Sequence, residues 1–219
     1  MDSHAILVFA HILLMVFWIG TDIGVFIAGF YMMDTRLSIP ERQTAIGLGM
    51  VIDRFPRLCF IAMIPVGLQL AVMSGSLSLA PEALLAVWLA ASVWLVAALI
   101  PMLRPGNPYT ALLHGLERVM QVAATIGLGG AGAWMLLHPA GMGWLAIKLI
   151  MLGLVCLLVI FLEWAFGPPM AAFAAICTDG STPQREQQLR RGMTLTYVWV
   201  VAIYLAVLVA AYMGIAKPF

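Results

Sequence analysis

Histidines and a few ionisable residues inside apolar stretches are where this chain could do chemistry. His4, His11, Trp18, Asp22 and Gly29 recur at spacings of seven, seven, four and seven. At roughly 100° per residue they fall within about 40° of one another on a helix. One stripe therefore carries two imidazoles, an indole and a carboxylate. Such a stripe suits a metal or cofactor ligand with a nearby proton carrier, and it would equally serve a helix–helix interface. A second candidate is Lys148, in an apolar run that begins near Gly143. At 1.5 Å per residue His11 should lie roughly 9 Å inside one end of its helix, and Lys148 roughly 7 Å inside the same end of another. An ammonium at that depth can snorkel outward. A His–Lys pair at one level also fits a cofactor iron on His11, with Lys148 as second ligand or as partner of a propionate.

These residues need elements to carry them. The chain has 219 residues, 63% hydrophobic and 10% charged, with a net charge of +1. Its mean hydropathy is +1.04. Soluble domains are about 45–50% apolar and about 25% charged. The composition excludes a soluble enzyme, a disordered tail and a nucleic-acid binder. Six apolar stretches stand out, at about 5–33, 55–75, 82–103, 114–137, 143–166 and 194–215. Each is near the roughly 20 residues a helix needs to cross a bilayer, and none alternates as a barrel strand would. The expected fold is all-α, a polytopic bundle of about six transmembrane helices forming a single domain over 1–219. The segment 167–193, with Pro168, Pro169, Gly180 and Pro183, reads as the one sizeable loop, a cytoplasmic connection or in part an interfacial helix. The opening residues lack a basic signal region, so the first helix is expected to be retained.

Basic residues suggest the orientation. Of the 11, all but Lys148 and Lys217 fall in or beside the connections after the first, third and fifth helices. The connections at 75–81 and 138–143 hold none. The positive-inside rule then puts both termini outside and predicts a multi-pass protein of the inner (cytoplasmic) membrane. Asp34, Asp53, Arg54, Arg57, Glu117, Arg118 and Glu163 gather at the cytoplasmic ends, either as structural ion pairs or as a proton route toward Asp22.

The fourth helix opens with His114, Glu117, Arg118 and Gln121, and His138 closes it. The two histidines are about 36 Å apart along that helix and cannot share a metal. Gly129 and Gly132 make a small-residue track on which a flat ring or another helix could lie. The 15 methionines form no M-x-x-M cluster, so a copper relay is not indicated by them. The three cysteines form neither C-x-x-C nor a haem-attachment motif.

The run HILLMVFWIG from His11 to Gly20 resembles the His-x6-Trp opening of HemJ-type protoporphyrinogen oxidases and, more loosely, of CopD-like membrane proteins. The run GLGGAGAWMLL from Gly127, a short turn, and GWLAIKLIML from Gly143 are similar to that family's later helix–turn–helix. The resemblance implies haem b held by His11 and Lys148. Two helices intervene here between the matching segments, and Asp22 and Glu163 lie outside the family pattern. The resulting expectation is a haem b redox protein. His11 and Lys148 would be the metal-binding groups, with Trp18, His114, Arg118 and His138 as further cofactor-binding candidates and Asp22 moving protons. His4 is a lesser candidate for the second iron ligand. Expected partners are the lipid bilayer, a quinone or porphyrinogen-like lipophilic substrate, and a hydrophilic redox partner or a second copy. No nucleic acid is expected. The alternative is a CopD-like transporter of copper or another small solute.

Overall fold

The computed structural model describes residues 2–104, 106–138 and 142–218. Among them every regular element is an α-helix: α1 Ser3–Met33, α2 Ile39–Ile52, α3 Arg54–Met73, α4 Pro81–Leu103, α5 Thr110–Leu137, α6 Gly143–Asp179 and α7 Pro183–Ala216. Six helical stretches are long and apolar enough to cross a membrane, α2 and α3 counting as one through Asp53. Large apolar side chains line their outer faces; Phe9 is 65% exposed, Ile126 70% and Trp164 71%. In water, contiguous apolar surface of this kind marks an interaction site or an aggregation liability. In a bilayer it faces hydrocarbon, and helices satisfy their own backbone there. The chain is a multi-pass helical membrane protein.

Two helical features depart from the expected spans. The first is α2, within the stretch that separates the first two predicted helices. Ser38 precedes it, and its N–H donates to Glu41 Oε2 at 2.7 Å, half of a capping box. Pro56 lacks the N–H that would bond the Ile52 carbonyl, and the helix is interrupted at Asp53. The second is the stretch 167–193, which is not a loop. The helix α6 passes through Pro168 and Pro169 to Asp179, α7 begins at Pro183, and only 180–182 connect them. Pro169 cannot donate to the Ala165 carbonyl. Thr196 Oγ1 on α7 lies 3.4 Å from that carbonyl and 3.0 Å from Gly192 O, so its proton can serve either. A Cβ on Gly192 would fall 2.8 Å from the Pro169 ring. The proline pair is thus accommodated by the helix packed against it. Gly180, at φ +91°, then turns the chain where a side chain would be strained. Thr182 caps α7 by accepting from Arg185 N–H at 3.3 Å.

The chain forms two compact units, one of Met1–Val25 with Leu48–Met120 and the other of Phe26–Gly47 with Gln121–Phe219. In the first, Phe60 packs against Trp18 and Trp94, with ring centroids at 5.1 and 5.8 Å. All three rings are buried. Trp88 Nε1 donates to Gln69 Oε1 at 3.2 Å between α3 and α4. Pro65 and Gly67 lie inside a continuous α3.

In the second unit α6 and α7 form an extensive hairpin. Met32, Ile46, Phe173, Ile176, Leu189 and Met193 make a buried cluster. The glycine track of α5 takes a helix rather than a ring. A Cβ on Gly132 would meet the Ala146 carbonyl at 2.5 Å, and one on Gly153 would meet Gly129 N at 2.7 Å. Backbone therefore touches backbone between α5 and α6, as small residues permit in membranes.

Candidate functional site

His11 belongs to the first unit. Its half-buried imidazole lies on α3 at Gly67, where an added Cβ would come within 3.1 Å of Cε1. The glycine leaves the ring its place. Two turns along α1, Trp18 is buried against Phe60, and Asp22 is half-buried. The helix thus carries the expected stripe, with its indole in the core.

Lys148 belongs to the second unit. Its ammonium reaches α7 at Gly214, where an added Cβ would fall 2.5 Å from Nζ. Both chemistry-bearing residues of the expected pair are therefore seated on glycines of a facing helix. His4 and His138 have local partners. His4 N–H donates to Asp2 Oδ1 at 3.0 Å. The exposed His138 ring stacks on Trp134 at 4.8 Å, with Nδ1 3.1 Å from the Trp134 carbonyl. Residues 139–141, which the sequence reads as a short turn, lie outside the described residues.

Several of the charged residues expected to gather form ion pairs within their own unit. In the first unit Arg57 reaches Asp53 Oδ2 at 3.1 Å and Glu117 Oε2 at 3.7 Å. His114 Nδ1 lies 3.8 Å from Glu117 Oε1. Glu117 is buried, whereas His114 and Arg118 are exposed. In the second unit Gln121 donates to Glu163 Oε1 at 3.0 Å. Between α1 and α2, Asp34 accepts from the Arg36 guanidinium at 2.7 Å and from its backbone N–H at 3.0 Å. Those bonds, the side-chain ones first, hold the Asp34 carboxyl down at about 2.

No protein-family model, curated protein or solved structure matches this chain.

Sequence reasoning missed three contributors. Gly67 and Gly214, which seat His11 and Lys148, give no signal until the facing helices are paired. The third is the Arg42–Glu186 pair, 144 residues apart. Its bonds are 2.8 and 2.9 Å long, and Arg42 Nε donates to the Met32 carbonyl at 2.6 Å. The guanidinium also lies over the Phe173 ring, 5.3 Å from its centroid. Among the described residues no three His, Cys, Asp or Glu side chains converge as a metal cage. A haem iron asks the protein for only one or two axial ligands, so the lack of such a cage does not bear on a haem.

Proposed function

We propose that this chain is an integral-membrane haem b protein with a redox function. The observation carrying the reading is the His11 imidazole, set in an apolar helix and seated over Gly67. A neutral imidazole is a haem ligand. Bound haem b supplies one-electron oxidation and reduction. His11 would hold the iron, and the resemblance gives Lys148 the role of second axial group or of partner to a propionate. Asp22, further along the same helix, would move protons. The partner chemistry is a porphyrinogen drawn from the bilayer with a quinone as acceptor, or a quinol that passes its electrons to a hydrophilic redox partner. The inner membrane is the compartment this reading assigns.

The test is the visible spectrum of the purified protein, oxidised and dithionite-reduced, beside His11→Ala, Lys148→Ala and Gly67→Val. The expected result is a Soret band with reduced α and β bands, abolished in His11→Ala and weakened in Gly67→Val, which keeps the ligand but displaces it. A colourless wild type with normal helical circular dichroism overturns the reading, and copper uptake then tests transport.

A further inference from the structure

Lys148 and Lys217 are the chain's two lysines; every other basic residue is an arginine. They lie at one end of the α6–α7 hairpin. Trp144 and Lys148 are four residues apart on α6 and share a face. Gly214 and Lys217 are three apart at the end of α7. Lys148 Nζ rests on Gly214. Lys217 adopts a left-handed backbone, φ +42°, and its ammonium lies over the Trp144 ring, 5.1 Å from the centroid. Two lysines are thus placed at one end of the hairpin, one resting on Gly214 and the other over the Trp144 indole.

Among the described residues no acidic side chain forms an ion pair with either lysine. The next acid along α6 is Glu163, about 22 Å away by helix rise, and on α7 it is Glu186, farther still. The contrast with the other charges is sharp, since Arg36, Arg42, Arg57 and Arg185 all have carboxylate partners. Juxtaposed cations without an acid are a standing electrostatic cost, relieved by an anion from outside the protein. A tryptophan and two lysines at the end of membrane helices are at headgroup level.

We infer that Lys148, Lys217 and Trp144 form a binding site for a phosphate group with unneutralised negative charge, as on an anionic phospholipid. The ammoniums hold the phosphate oxygens, and Trp144 fixes Lys217 and packs against the glycerol region. This inference shares Lys148 with the haem reading, but it is read by lipid binding and the haem reading by the His11 spectrum, so the failure of one is distinguishable from the failure of the other.

The test compares binding of phosphatidylglycerol and phosphatidylcholine, both fluorescently labelled, to the full chain in detergent micelles. Wild type should prefer phosphatidylglycerol roughly tenfold, in line with the attraction of lysines to anionic lipid. Lys148→Gln with Lys217→Gln should bring the ratio close to one, and the corresponding double arginine variant should retain most of the preference. Glycerol phosphate identifies the source of the anion. Displacement of the lipid by millimolar glycerol phosphate would mean that the phosphate alone is read, and resistance would mean that the acyl chains are needed as well. A wild type without preference, or an equal preference in the double glutamine variant, overturns the inference. Retention in the arginine variant guards against a loss caused by misfolding.

Discussion

Glu186→Ala should be among the most damaging single substitutions in the second unit. The Arg42 side chain is 2% exposed and that of Glu186 11%. Glu186 accepts two guanidinium N–H bonds and a third from Ser181 Oγ at 2.8 Å. Removing the carboxylate leaves two buried Arg42 donors unpaired, at about 1–3 kcal/mol each. Independent experience with broken buried pairs gives about 3–5 kcal/mol, and the two ranges agree. For a chain of this size that corresponds to a fall in Tm of roughly 6–20 °C. Replacing both partners, as Arg42→Met with Glu186→Leu, should be far milder, because no uncompensated charge remains. The assay is thermal unfolding in detergent followed by far-UV circular dichroism, run as a double-mutant cycle with Arg42→Met and Glu186→Leu as its single variants. The Met32 carbonyl loses its Arg42 donor in both Arg42 variants, so the cycle isolates the ion pair. A Glu186→Ala cost below about 1 kcal/mol, or a coupling under about 0.5 kcal/mol, would refute the reasoning.

Three further substitutions test the other features. Gly153→Ala should cost about 1–3 kcal/mol, the usual range for overpacking, because its Cβ would meet the Gly129 and Thr125 backbones at 2.7 and 3.0 Å. Gly130→Ala, where nothing lies within 4 Å, should be neutral or stabilising; equal effects in melting experiments would contradict the backbone contact. Asp34 is the acid-sensitive group between α1 and α2. Its folded pKa of about 2 lies below the ordinary 3.8, so its contribution is complete above about pH 4 and is lost as pH falls toward 2. Asp34 is solvent-screened, so the effect is small. The difference in Tm between wild type and Asp34→Asn should be constant from pH 5 to 7 and shrink below pH 4. A difference that grows on acidification would refute the assignment.

The helices were legible because hydropathy is a local property and lipid permits few alternatives. The run from Ala5 to Met33, the helix starts at Pro81 and Gly143, and the ends at Leu103 and Leu137 can be read from apolar length alone. Reading failed where local signals compete. Pro168 and Pro169 marked a loop because proline breaks helices in water. Here Thr196, 27 residues beyond Pro169, offers a hydroxyl to the carbonyl left open, and Gly192 makes room for the ring. Neither is visible until α6 and α7 are paired. The signal for α2 was present in Ser38-Ile-Pro-Glu41, but low hydropathy concealed it.

The same distinction governs the candidate sites. The residue types and depths of His11 and Lys148 follow from sequence, because rise per residue is fixed. What each side chain rests on is a property of the facing helix, and in both cases it is a glycine, the residue least visible to pattern. Gly67 and Gly214 admit polar groups to helix surfaces that a larger side chain would close. Their positions separate the two reactive groups from ordinary packing residues. At His11 the imidazole lies in the first unit with the Trp18–Phe60 contact farther along α1, a setting that suits a neutral ligand. Near Lys148 the end of the hairpin carries a second lysine, Lys217, over the Trp144 ring, which favours an anion. The proposed readings therefore give imidazole and ammonium different partners, a haem iron for one and an anion for the other, although their expected helical depths are similar.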